Sequence, residues 1–72
     1  MSNFLAAQRE VLGALSGRHC SAHQLAIAAT LPESDVMGVL SRLEGKGLVK
    51  KNDDETYTLT TKGEEAYATN SI

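Results

Sequence analysis

Three residues, Thr30-Leu31-Pro32, separate two helical patterns, and that short break constrains the fold more than any other feature of the sequence. Before it, Ser21-Ala22-His23-Gln24 has the form of a capping box, a serine cap with glutamine three residues on. The helix it opens runs to about Ala29. After the break, Val36, Val39, Leu40 and Leu43 recur at helical spacing and predict a helix from about Glu33 to Glu44. Pro32 disfavours helix in the residue before it, so the two helices cannot merge.

The segment beyond the second of these helices is equally constrained. Gly45-Lys46-Gly47 stops the helix, Leu48 to Lys51 reads as a strand, Asn52 to Glu55 as a turn and Thr56 to Leu59 as a returning strand. Upstream, Phe4, Leu5, Val11, Leu12 and Leu15 share one side of a helix from about Phe4 to Leu15, with Asn3 as its cap. The opposite side, Ala6, Glu10, Gly13 and Ala14, is small or polar and offers a surface for a homodimer. Ser16-Gly17 ends that helix, with Gly17 suited to a left-handed cap. Cys20 and Leu25 are spaced to form a hydrophobic staple around the Ser21 cap. Thr61-Lys62-Gly63-Glu64 predicts a second capping box and a short last helix to about Ala68.

The expected fold class is therefore α+β and mostly helical. It has three helices, the second and third forming a helix-turn-helix, then a two-stranded wing hairpin and a short C-terminal helix. The chain of 72 residues supports one domain, 1–72. Forty-two per cent of residues are hydrophobic, which suits a globular chain, but Phe4, Tyr57 and Tyr67 are the only aromatics, so aliphatic side chains must fill the core. One cysteine allows no internal disulfide, and a reducing cytoplasm is the expected location. No apolar run reaches the ~20 residues that cross a bilayer. No basic-then-apolar leader pattern is present.

The stretches HQLAIAATLPESDVMGVLSRLEGKGLVKK and YTLTTKGEEAY together resemble the winged helix-turn-helix core of MarR-like and PadR-like transcriptional regulators. The matching positions are Leu25-Ala26, Leu31, Val36, Leu40, Leu43, Gly47-Leu48-Val49 and Tyr57-x-Leu59-Thr60-x-x-Gly63, over about residues 20 to 67. The length is closer to that of small stand-alone bacterial regulators. The resemblance implies double-stranded DNA as partner, with the third helix in the major groove and the wing on the backbone. It implies contacts from Ser34, Asp35, Met37, Gly38, Ser41 and Arg42 on the helix. Lys46, Lys50 and Lys51 would serve as phosphate contacts.

The charge distribution supports a different reading. Residues 33–55 hold six acids (Glu33, Asp35, Glu44, Asp53, Asp54, Glu55) against four bases (Arg42, Lys46, Lys50, Lys51). Non-specific DNA affinity comes mainly from cations that displace phosphate counterions, and this half is the more acidic one. Asp53, Asp54 and Glu55 at the wing tip are then candidate contacts to a basic protein partner, in a winged helix without a DNA role. A third possibility is that they repel phosphate and restrict which sites are accepted. A fourth is local: Asn and Asp favour turns by bonding to their own backbone. On the helix, Ser34, Gly38, Ser41 and Gly45 form a strip of small residues opposite the apolar face, and Met37 on its flank is expected to pack into the core, with a soft contact to a partner as the alternative.

Catalysis and cofactors find little support. His19, Cys20 and His23 provide three ligands where a structural zinc site usually takes four, so only a second chain would complete a site. No Gly-rich phosphate loop and no paired carboxylates are present. The expectation is a binding module, not an enzyme, with no cofactor.

Overall fold

The computed structural model describes residues 4–69, with side chains from residue 6 onward. Four helices and three short strands follow in the order α1 (Phe4–Leu15), β1 (Cys20–Ser21), α2 (Ala22–Ala29), α3 (Glu33–Gly45), β2 (Val49–Lys51), β3 (Thr56–Leu59) and α4 (Thr61–Thr69). The expected Asn3 cap lies outside the described residues.

The three principal helices close on one aliphatic core. Val11, Leu12 and Leu15 of α1, Leu25 of α2 and Val36, Val39, Leu40 and Leu43 of α3 are almost fully buried. Apart from Leu25, these are residues whose spacing predicted the apolar faces of α1 and α3; the side chains of Phe4 and Leu5 lie outside those described. Leu48, Val49, Tyr57 and Leu59 carry the same core under the hairpin. One buried residue breaks the pattern: Gln8 of α1 is 2% exposed. Its Oε1 has no hydrogen-bond partner among the described residues. Its helical position, three and four residues before Val11 and Leu12, takes it inward with them.

The helix ends explain the tight path. Ser21 caps α2 as predicted: the Gln24 amide donates to Ser21 Oγ at 3.1 Å and the Ser21 amide donates to Gln24 Oε1 at 2.9 Å. At its other end, the Leu31 amide donates to the Ala26 carbonyl and the Thr30 amide to that of Ile27. This is a Schellman motif, and Thr30 occupies its left-handed position at φ 56°. The end of α3 repeats the motif. There the Leu48 amide reaches the Leu43 carbonyl, the Gly47 amide reaches that of Glu44, and Gly47 takes the left-handed position at φ 77°. Glycine suits that geometry, whereas a β-branched threonine does not.

The sheet differs from the expected two-stranded hairpin. Its order is β1-β3-β2, both pairs antiparallel, with Cys20 opposite Tyr57 and Val49 opposite Leu59. The two residues of β1 are too few to show any alternation, so the sequence carries no strand signal there. Their pairing ties the start of α2 to the outgoing wing strand.

The last helix is capped by Thr60, not by Thr61 as the sequence suggested. The Gly63 amide donates to Thr60 Oγ1 at 3.0 Å, and that hydroxyl donates to the Gly47 carbonyl at 2.7 Å. The Thr60 amide donates to the Leu48 carbonyl. Thr60 therefore pins α4 to the exit of α3, a role Thr61 is placed one residue too late to fill. Gly63 falls at the third helical position, so no capping box forms. Gly63 is buried because α4 lies directly on Leu48: a Cβ at Gly63 would stand only 2.0 Å from the Leu48 carbonyl oxygen.

Candidate nucleic-acid interface

Helix α3 buries one face completely and exposes the other. Ser34, Asp35, Met37, Gly38, Ser41 and Arg42 are all exposed, as are Lys46, Lys50 and Lys51. The outermost strip, Ser34, Gly38, Ser41 and Gly45, is nearly bare backbone, and a Cβ placed on Gly38 or Gly45 would meet nothing within 4 Å. Met37 is 47% exposed, contrary to its expected place in the core. The reason is angular: Met37 lies ~100° from the centre of the buried Val36–Leu43 face, too far round to reach it. Tyr67 is 36% exposed, and its hydroxyl lies over Gly13 of α1.

The cations come from separate elements. Arg42 lies in the last turn of α3 and Lys46 is its C-cap residue. Lys62 was missed by sequence reasoning. It lies on α4, and its Nζ donates to the Lys46 carbonyl at 3.1 Å. That contact brings a cation to the negative end of the α3 dipole across sixteen residues of sequence. Only the Thr60 pivot reveals it. Lys50 and Lys51 are adjacent on β2 and so point to opposite faces of the sheet. Lys51 pairs with Glu55 at 3.3 Å.

The acidic wing tip has a local explanation. The Asp54 carboxylate accepts from the Thr56 hydroxyl at 2.6 Å and from the Thr56 amide at 3.1 Å. These two bonds, with a smaller attraction from His19, hold the Asp54 carboxyl below its ordinary value. Asn52 closes the same turn: its side-chain amide donates to Thr56 Oγ1 and Thr58 Oγ1, and its backbone amide to the Thr56 carbonyl at 2.7 Å. Glu55 takes the left-handed position at φ 69° and turns its carboxylate onto Lys51. Glu33 is similarly engaged, 3.5 Å from His23 Nδ1. Two of the three tip acids thus make or brace the turn. Asp53 is exposed beside them.

Between α2, α3 and the wing runs an open groove of ≈ 270 Å³, lined by Ala22, His23, Glu33, Met37, Lys51 and Tyr57 among others. His19, Cys20 and His23 do not converge. Cys20 is buried with its thiol directed at the Ala14 carbonyl, 3.9 Å away, while both histidines are exposed. Among the described residues no three His, Cys, Asp or Glu side chains group as metal ligands. No helix among them is long and apolar enough to cross a membrane.

This arrangement of two helices at a three-residue joint, a third strand and a wing defines a winged helix-turn-helix domain. No protein-family model and no curated protein matches the chain. Solved structures do. A MarR family transcriptional regulator from Silicibacter pomeroyi superposes with TM-score 0.83 at 25% identity, over 92% of this chain and 48% of that one. Bordetella bronchiseptica BpsR, a structure concerned with regulation of its DNA binding by 6-hydroxynicotinic acid, gives 0.80 at 31% identity, over 89% and 50%. A transcriptional regulator from Pseudomonas aeruginosa gives 0.85 at 25% identity, over 99% and 52%. The chain has the winged helix-turn-helix core of the MarR-like regulators. It spans about half the length of the solved structures it matches.

Proposed function

We propose that residues 1–72 act as one double-stranded-DNA-binding unit of a cytoplasmic transcriptional regulator, with no catalytic role. Helix α3 enters the major groove, and Ser34, Asp35, Met37, Gly38, Ser41 and Arg42 face base edges or the groove wall. Lys46, Lys50, Lys51 and Lys62 contact phosphates along the end of α3 and the wing. The observation that carries this reading is the bare strip on α3. It is exposed along its length and lets a duplex approach the helix backbone closely. Likeness to named transcriptional regulators over nearly the whole chain supports it. Association of two copies, each reading a half-site, fits the same reading, since so small a domain makes few phosphate contacts alone.

The competing reading, a protein-binding wing that uses Asp53, Asp54 and Glu55, loses most of its motive. Asp54 is held by Thr56 and Glu55 by Lys51, so these acids have work within the chain.

Titration of isotopically labelled protein with mixed-sequence duplex at ~20 and ~200 mM salt tests the proposal. With four or so phosphate contacts the affinity should fall by ~10³ to 10⁴ over that tenfold range. Amide shifts should gather on Ser34, Gly38, Ser41, Lys46 and Lys50. Absence of any shift at the lower salt, up to high micromolar protein, refutes DNA binding. A salt-independent interaction at the wing tip would favour the protein-partner reading.

A further inference from the structure

Accepting DNA binding by α3, we infer that Met37 selects for thymine, through apolar contact with the 5-methyl group on the groove edge. Met37 is the one large apolar side chain exposed on α3, since the other exposed ones among the described residues, Ile27 and Tyr67, lie on α2 and α4. Burial elsewhere does not account for it. Val36, Val39, Leu40 and Leu43 complete the inward face without it.

Its neighbours set its reach. The strip of Ser34, Gly38, Ser41 and Gly45 carries nothing longer than a hydroxymethyl group, and open space lies over both glycines. Counting ~100° per residue, Met37 stands ~70° from the centre of that strip on one flank, and Arg42 ~70° on the other. A duplex that seats against the strip therefore meets Met37 as the longest apolar side chain at its edge. The charged side chains that line the groove with it face one another: Glu33 lies 3.5 Å from His23 Nδ1, and Lys51 pairs with Glu55 at 3.3 Å. In the major groove the thymine methyl is the apolar feature of the base-pair code, and a thioether, flexible and polarisable, packs well on it. A serine at this position would present a hydroxyl instead, and an alanine, three heavy atoms shorter, would bring far less apolar surface to the methyl.

The test uses duplexes selected by the wild-type protein from a randomised library, prepared once with thymine and once with deoxyuracil throughout. Removal of one buried methyl corresponds to about a fourfold loss of affinity, the ~0.8 kcal/mol of a buried CH₂ group. Wild-type protein should bind the uracil duplexes about fourfold more weakly. Met37→Ala should bind the thymine duplexes more weakly and show no difference between the two preparations. Circular dichroism of Met37→Ala checks that the helix is intact, as expected for an exposed site. Equal wild-type affinity for thymine and uracil duplexes overturns the inference. So does a thymine preference that persists in Met37→Ala. In either of these cases DNA binding itself stands. Failure of selection to enrich any duplex removes the DNA-binding reading, and this inference with it.

Discussion

Replacement of Gly63 by alanine should destabilise this protein more than alanine at any of its other glycines, although alanine is the better helix former. Gly63 lies in the first turn of α4. On helix propensity alone, Gly→Ala stabilises by ~1 kcal/mol. The added Cβ, however, falls 2.0 Å from the Leu48 carbonyl oxygen, 2.9 Å from the carbonyl carbon and 3.3 Å from the Leu48 Cα. All three are backbone atoms, so no side chain can swing away. Relief requires α4 and Leu48 to separate by ~1 Å, well beyond what a close-packed interior absorbs without cost. The same movement pulls on the bonds from the Thr60 amide to Leu48 and from the Thr60 hydroxyl to Gly47. Overpacking costs ~1–3 kcal/mol. Two weakened hydrogen bonds add ~1 kcal/mol each. Less the propensity gain, the net destabilisation is ~2–4 kcal/mol, or a Tm lowered by ~10–25 °C in a domain of this size. Thermal and urea denaturation followed by circular dichroism measure it. Gly38→Ala is the control: Gly38 is also helical, but its Cβ would meet nothing within 4 Å. It should raise stability by ~1 kcal/mol. If the two substitutions shift Tm in the same direction, the packing argument is wrong.

Thr30→Gly should stabilise by ~1 kcal/mol, because it gives the α2 Schellman motif the residue that α3 already has in Gly47, and the same denaturation curves measure it. Gln8→Met should raise the urea midpoint, since it replaces a buried oxygen that has no partner among the described residues by an apolar side chain of similar length; destabilisation would mean that the Gln8 carbonyl oxygen is bonded in solution. Asp54 has a folded pKa below its unfolded value, so its contribution is present above the unfolded pKa and is lost as pH falls through the folded one. Asp54→Asn should therefore flatten the fall of Tm below about pH 4, while leaving its slope near neutrality unchanged. Glu55→Asn removes a left-handed glutamate and frees Lys51. It should raise Tm by a few degrees. On the proposed function it should also tighten duplex binding at low salt, because Lys51 no longer has to leave Glu55 to reach a phosphate.

Local and periodic features were legible in the sequence because they depend on near neighbours. The α3 face of Val36, Val39, Leu40 and Leu43, the Ser21–Gln24 capping box, the Thr30-Leu31-Pro32 joint and the Asn52–Glu55 turn all rest on residues at most ten apart. Their energetics are those of helix period, cap and turn. The α3 candidates were legible for the same reason, since the buried face defines the exposed one. Even so, Met37 was expected inside, because residue type suggested burial where angle on the helix decided exposure.

Tertiary contacts decided the rest. β1 exists only because Cys20-Ser21 meets Tyr57-Thr56, and two residues carry no period of their own. Thr60 rather than Thr61 caps α4 because Gly47 and Leu48 hold its hydroxyl and amide in place. Lys62 reaches the end of α3 for the same reason. The wing acids keep their charge, but composition could not show their local partners: Asp54 accepts from Thr56, and Glu55 pairs with Lys51. Sequence alone determined which faces are apolar and where the chain turns. Which polar groups remain for a partner depended on hydrogen bonds and ion pairs that form only once those faces have packed.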